Sequence, residues 1–313
     1  MSAGTIAIIG AGIAGLACAR RLADAGQAPL VLDKGRSIGG RLATRRTPEG
    51  LQFDHGAQYV TAKTVQFQAF LADLQGAGAA DVWRDGDRDD RFVGTPGMNA
   101  LAKRLADGLD VRTGVQVDGI AMSGAGWAIS AGRETFRCER LVITTPAPQA
   151  AGLLGATHPL ADELGAVRFK PCLTLMAAFA PGQPEPFLSR RDPEDDLAWI
   201  ALNSSKPGRT AQGCWVAQAG PAWSAERLER DLSDIAHEMS TLLCDRLGAD
   251  LAARTHAVAH RWRYANVAEP LGRPFLRDDA GQLYLGGDWC LKARVEAAWT
   301  SGRAIAEDLL KCR

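Results

Sequence analysis

The chain is poor in the features that mark several protein classes. Its seven cysteines, at 18, 138, 172, 214, 244, 290 and 312, form no CxxC or CxxxxC pair. An odd, scattered set argues against a disulfide framework and a dithiol centre, and makes a reducing cytosol the expected setting. The five histidines, His55, His158, His237, His256 and His260, share no ligand spacing, so no metal site is expected. Charge of one sign is lacking: 36 basic and 36 acidic side chains cancel. No overall field would therefore recruit nucleic acid or an anionic membrane. Residues 5–19 are uncharged, but Gly10, Gly12 and Gly15 interrupt them and no basic residue precedes them. They read as neither a signal peptide nor a spanning helix. There is no internal repeat and no low-complexity tract.

What is present is a core-forming chain of 313 residues, long enough for two lobes. It opens with an apolar run at residues 5–9, expected to be a strand buried on both faces. Residues 15–25 have helical spacing and end at Gly26. Residues 30–32 form a second strand that stops at Asp33. The link between first strand and helix is Gly10-Ala11-Gly12-Ile13-Ala14-Gly15. Gly10 permits the tight turn, Gly12 lets backbone approach a pyrophosphate, and Gly15 lets the helix pack closely on the sheet. The helix N-terminus then presents N–H groups to phosphates. Asp33, about 20 residues on, suits a ribose hydroxyl. Two residues later Gly35-Arg36-Ser37-Ile38-Gly39-Gly40-Arg41 offers backbone that can wrap a phosphate and a guanidinium to pair it.

The middle of the chain changes character. Residues 111–117, 127–130 and 135–138 alternate and are separated by glycine turns, the pattern of a three-stranded antiparallel meander. Residues 141–145 are another buried strand. From about residue 151 to 271 the pattern is α+β. Strands are expected at 173–179, 197–202, 214–218 and 258–264, and one long helix from a Ser224 cap to Leu247. The run from Arg84 to Arg91 alternates charge and reads as a solvated loop. Residues 283–285 form a last strand before Gly286-Gly287-Asp288, and a helix spans about 295–310. Nucleotide-binding elements thus sit at both ends with a different lobe between. The expected division is 1–60, 94–150 and 272–313 for the cofactor domain and 61–93 with 151–271 for the substrate domain.

Residues 10–15, Asp33, Gly39-Gly40-Arg41 and Tyr284-Leu285-Gly286-Gly287-Asp288 together resemble the flavin-containing amine oxidase superfamily. Within it, residues 53–59 (FDHGAQY), 94–98 (GTPGM) and 260–265 (HRWRYA) resemble the renalase branch. The resemblance implies an α/β fold: a Rossmann-type FAD-binding domain with a β-meander and an inserted α+β substrate domain, of the amine oxidase or p-hydroxybenzoate hydroxylase type. It implies non-covalent FAD held at Gly10 to Gly15, Asp33, Lys34, Gly40, Arg41, Ala57, Gln58, Val117, Gly287, Asp288, Val295, Glu296 and Ala297. The N-terminus of the last helix would face the flavin edge that gains negative charge on reduction. Substrate contacts would come from His55, Gly56, Ala57, Gln58, Tyr59, Thr95, Pro96, Gly97, His260 and Trp289. Each of His55 and His260 could equally serve a structural hydrogen bond, and for Trp262 and Tyr264 core packing is preferred to lining the pocket. Cys290 could carry covalent flavin, but a small buried residue is the preferred reading. Lys170 stands in a setting unlike that of the lysine that relatives place near flavin.

The reaction implied is oxidation of 2- and/or 6-dihydro isomers of NAD(P) by O2, giving hydrogen peroxide and NAD(P)+, with no catalytic side chain beyond the flavin. A dihydropyridine is already a hydride donor, so positioning does most of the work. The partners expected are therefore a small molecule and O2, with neither nucleic acid nor membrane. Amine oxidation on the same fold is the alternative. A non-catalytic flavin-binding protein is a third reading.

Overall fold

All four residues of the strand Ile6–Ile9 are buried, because it is paired in parallel on both edges, with Arg140–Ile143 and Leu30–Asp33. An interior parallel strand has no solvent side for polar residues. The structure is a computed structural model and describes residues 5–86, 90–209 and 213–311. Two compact units divide the chain. The first comprises Met1–Gly40, Ala102–Arg168 and Val267–Arg313, and the second Arg41–Leu101 and Phe169–Asn266. Residues 41–60 and 94–101, assigned from sequence to the cofactor domain, pack in the second unit, and 151–168 and 267–271, assigned to the substrate domain, pack in the first.

The first unit is built on a six-stranded sheet in the order Leu276–Arg277, Leu283–Leu285, Arg140–Ile143, Ile6–Ile9, Leu30–Asp33, Asp110–Thr113. A separate antiparallel meander follows in chain order: Gly119–Ser123, Gly126–Ala131 and Glu134–Cys138. The expectation that residues 111–117 open this meander is corrected. Asp110–Thr113 pairs in parallel with Leu30–Asp33, and Gly114, at φ +73°, ends it. As the sheet's outermost strand it is largely exposed, and a half-solvated edge alternates in sequence as a meander strand does. Helix Ile13–Asp24 packs on helix Val295–Lys311 at backbone distance. A Cβ on Gly302 would lie 1.9 Å from the Ala14 carbonyl oxygen.

The second unit holds a five-stranded sheet in the order Ser189–Arg191, Trp199–Leu202, Cys214–Gln218, Arg168–Phe179, Arg254–Glu269. One face buries Leu173, Leu175, Ile200 and Trp215 together with Ile235, Met239 and Leu243 of helix Leu232–Leu247. The other face presents Met176, Ala178 and Val216 to Phe53, which belongs to the hairpin Thr44–Arg46 with Gln52–Asp54. Alternation along the strands divides the two sets. The single helix expected from Ser224 to Leu247 is two helices, Pro221–Glu226 and Leu232–Leu247. Asp231, not Ser224, caps the second by accepting from the Ser233 N–H. Ser224 is buried and its hydroxyl accepts from the Leu173 N–H, so it serves the sheet. Among the described residues no helix is long and apolar enough to cross a membrane.

Gly302→Ala must push the two helices of the first unit apart. The expected cost is about 1–3 kcal/mol, read as a lower urea midpoint, with weaker flavin retention.

Candidate functional site

In the first unit the chain leaves Ile6–Ile9 through Gly10, whose φ is +109°. A Cβ on Gly15 would sit 1.9 Å from the Gly10 carbonyl oxygen, so turn and helix touch through backbone alone. Gly12 differs from both. A Cβ there would meet nothing within 4 Å, and no side chain caps the helix at this residue. Open space therefore lies over an uncapped helix N-terminus, which is what a pyrophosphate requires. The dinucleotide end of a flavin cofactor fits this cradle.

Asp33 stands beside it. Its carboxylate accepts the Ala11 N–H at 2.6 Å and the Gly35 N–H at 2.7 Å. These bonds tie the glycine loop to the end of the second strand, and each oxygen keeps a lone pair for a ribose hydroxyl. Ala11 spends its N–H on Asp33 and has none left for phosphate. Lys34 is exposed. Val117 lies in the segment after Asp110–Thr113, close to where the Val115 N–H reaches the Asp33 carbonyl. Gly40 approaches Gly12: a Cβ on it would be 3.5 Å from the Gly12 Cα. Asp288 and Glu296 are buried, and Val295, Glu296 and Ala297 form the first turn of the last helix. Gly287 donates its N–H to the Ser301 hydroxyl at 2.9 Å, and a Cβ on it would strike the Trp289 ring at 2.8 Å.

Trp289 itself is a correction. Its side chain is wholly buried in the first unit and its Nε1–H donates to the Thr145 carbonyl at 3.0 Å. No part of the ring is left for a substrate; its bulk forces glycine at 287. Cys290 is also buried, and burial pushes its thiol up to about 12.

The second unit gathers a different set. His55 follows the hairpin strand Gln52–Asp54, and His260 and Trp262 project from the same side of the long strand Arg254–Glu269. The His55 and His260 rings meet edge to face at 4.9 Å, His260 and Trp262 lie 4.3 Å apart at 65°, and Trp262 stacks on His55 at 5.4 Å. The indole Nε1–H fixes the arrangement by donating to the His55 carbonyl at 2.7 Å. Burial lowers the pKa of His55 to about 4, aided by His260 and Arg45, and burial with Arg45 lowers that of His260 to about 4. Both imidazoles are neutral at neutral pH. Trp262, for which the sequence favoured core packing, belongs to this cluster.

Other expected contacts have structural duties. Gly56 is glycine because a Cβ would lie 2.0 Å from the Arg41 carbonyl oxygen, which also accepts the Ala57 N–H. Arg41 sends one guanidinium nitrogen to the Ala265 carbonyl. Gln58 is buried with its amide engaged at both ends: Nε2 donates to the Asp54 and Gly56 carbonyls, and Oε1 accepts from Lys206 Nζ at 3.0 Å. Tyr59 lies under the Arg91 guanidinium, 4.6 Å from its ring centre. Thr95 donates its N–H to Ala79, Pro96 accepts from Gln52, and a Cβ on Gly97 would meet Thr44 at 2.8 Å, so this turn buttresses the hairpin. Lys170 is exposed. The solvated loop expected from Arg84 to Arg91 is overturned at its two buried members: Asp85 and Arg91 form an ion pair with Ser189 bonded to both. Three aromatic rings around Arg91 compensate the charge that water would otherwise solvate. Residues 87–89 lie outside the described residues.

Sequence reading missed the ions beneath His55. Asp54 is fully buried and pairs with Arg209 and with Lys206, the latter at 3.5 Å. Its other oxygen accepts from the Thr44 hydroxyl at 2.7 Å and the Met98 N–H at 2.9 Å. Burial alone would raise its pKa, but the two cations hold it below the usual carboxylate range. Lys206, wholly buried, is lowered to about 8 by burial, with Arg209 adding repulsion. Only Asp54, inside the FDHGAQY segment, carried a sequence signal.

Comparison with known proteins gives the site its family. Residues 66–310 match the flavin containing amine oxidoreductases, and residues 8–74 match the NAD(P)-binding Rossmann-like domain. The chain belongs to the flavin containing amine oxidoreductase family. It is therefore a flavin-dependent oxidoreductase. A protein from Exiguobacterium sp. 255-15 assigned as a protoporphyrinogen oxidase has the same fold, with a TM-score of 0.73 at 14% identity over 100% of both chains. Cyclohexylamine oxidase from Brevibacterium oxydans IH-35A follows at 0.72 and 16%, covering 98% of this chain and 99% of that one. At these identities the likeness is one of fold. A 15-cis-phytoene desaturase from Synechococcus elongatus is 43% identical over 51 residues, which are 16% of this chain and 11% of the desaturase.

Two outcomes test the second unit. Asp54→Asn strands Lys206 and Arg209 in the interior and is expected to cost about 3–5 kcal/mol in urea unfolding, with part recovered by adding Lys206→Met. The histidines give a pH signature. In the unfolded chain each binds its proton near 6.5, in the fold near 4. Stability they contribute is present above 6.5 and lost as pH falls to 4. His260→Gln should flatten that decline in the urea midpoint.

Proposed function

We propose that the protein is an FAD-dependent oxidase of 2- and/or 6-dihydro isomers of NAD(P), as in the renalase branch of its family. The observation that carries this reading is the neutral His55–His260–Trp262 cluster. An amine reaches an oxidase mostly protonated and must shed that proton before it can be oxidised. Imidazoles with pKa values near 4 are weak bases for that task. A dihydronicotinamide has no such proton to lose. Its carboxamide has one acceptor oxygen and a donor nitrogen, and a neutral imidazole offers one donor and one acceptor in return. Indole and imidazole faces suit a flat ring.

FAD is held at the dinucleotide end by the turn of Gly10, Gly12 and Gly15 with Asp33, and further along by Asp288 and the first turn at Val295, Glu296 and Ala297. When bound it supplies a two-electron acceptor that passes its electrons to O2. The helix N-terminus favours negative charge close to it. Attachment is non-covalent, since Cys290 is buried and remains a thiol at neutral pH. His55 and His260 orient the substrate ring and move no proton. Amine oxidation is a second reading, favoured by the structural likeness to cyclohexylamine oxidase.

The purified protein should be yellow and should bleach when 2- or 6-dihydro-NAD(P) is added without oxygen. Bleaching by simple amines alone would replace this reading with the second. Acid precipitation should release all flavin to the supernatant; yellow colour in the pellet would implicate Cys290.

A further inference from the structure

In the second unit, the hairpin Thr44–Arg46 with Gln52–Asp54 and the strand Arg254–Glu269 border a cavity of about 690 Å³. Its lining includes Arg45, Arg46, Thr47, Glu49, His256 and Val258. Apart from the charge of Arg45 on the two imidazoles, these residues have no role in the arrangement described so far. The lining is cationic: two arginines, adjacent on the hairpin strand and leaving it on opposite sides, stand against one carboxylate, and Glu49 is hydrogen-bonded to Thr47. Neither guanidinium takes a hydrogen bond or ion pair among the described residues. His256 Nε2 is buried and also has no hydrogen-bond partner. An arginine pair left without carboxylate partners beside an unsatisfied imidazole is matched to a phosphate or pyrophosphate.

The cavity and the imidazole cluster are built on the same two elements. On the long strand, His256, Val258, His260 and Trp262 occupy alternate positions and so share a face. Val258 packs with Phe53, and His256 stacks on Phe53 at 5.4 Å and 14°. On the hairpin, Arg45 is directly opposite Phe53 in register, and His55 lies two residues further on. The charge of Arg45 reaches His55, His256 and His260, and His256 also feels the Glu49 carboxylate. His256 and His260 are about 13 Å apart along the strand, so a ring at one end and phosphates at the other can belong to one ligand.

We infer that Arg45 and Arg46 bind the pyrophosphate of the dinucleotide substrate, making this cavity the element that selects a nucleotide-linked dihydronicotinamide over a free one. The inference rests on the reaction proposed above. It assigns the imidazole cluster to the ring and the arginines to the charge, so the two contributions separate in kinetics.

The test compares 2-dihydro-NAD with 1-methyl-2-dihydronicotinamide, which has the ring and no phosphate, on the wild-type holoenzyme and on Arg45→Ala and Arg46→Ala. Flavin content and urea midpoint confirm that each variant is folded; Arg46 is exposed, so its variant carries the test if Arg45→Ala does not fold. The expected result is a KM for 2-dihydro-NAD raised about tenfold or more with little change in kcat, and unchanged constants for the methyl compound. Inorganic pyrophosphate should inhibit the wild type competitively and the variants weakly. Unchanged KM values in both folded variants, or an equal loss with both compounds, would overturn the inference and leave the proposed reaction standing. Oxidation of neither compound by the wild type would overturn the reaction and the inference with it.

Discussion

Asp54 takes hydrogen bonds from Thr44 and from the Met98 N–H and shares its second oxygen between Arg209 and Lys206. Its own N–H donates to the Asn203 side chain, whose amide nitrogen in turn reaches the Gln52 carbonyl. Three segments distant in the chain, the hairpin, the turn at residues 95–98 and the turn at 203–209, are thereby tied to one carboxylate. A carboxylate buried so completely is tolerable only when it is ionised and fully paired, which makes the arrangement all-or-none. His55 is the next residue. Its orientation, and through the Trp262 indole the register of the imidazole cluster, follows from that anchoring.

The cluster has an electrostatic consequence. It lies beside Arg45 and is largely buried, and both effects keep His55 and His260 uncharged. The protein has kept its buried cations, Lys206, Arg209 and Arg91, on structural duty with carboxylates or aromatic rings. The cluster itself is neutral and flat. This division suits a reaction in which the cofactor does the redox chemistry and the protein orients a ring.

The glycine motif was legible because each of its requirements is local. The Gly10 backbone conformation and the Gly15 contact with the Gly10 carbonyl are satisfied within six residues. Where the sequence misled, a local pattern had two tertiary outcomes. Residues 111–117 alternate as a meander strand would, yet Asp110–Thr113 is the outer strand of the main sheet. Residues 224–247 carry helical spacing, but Ser224 is diverted to the Leu173 N–H, and Asp231 starts a new helix. Arg84 to Arg91 reads as solvated because the pairing of Asp85 and Arg91 depends on Ser189, about a hundred residues away. His55 and His260 were named from sequence, whereas Lys206 and Arg209 sit in an unremarkable loop and acquire their meaning only against Asp54.

The sequence alone determined the class of cofactor, because a strand, a glycine turn, a helix N-terminus and a following acid form a phosphate cradle from contiguous residues. Only the tertiary structure decided which polar groups lie together and in what charge state. Burial and pairing between distant residues set whether an imidazole is neutral, whether a tryptophan is available, and whether an arginine keeps its charge for a ligand, and neither is encoded at any single position.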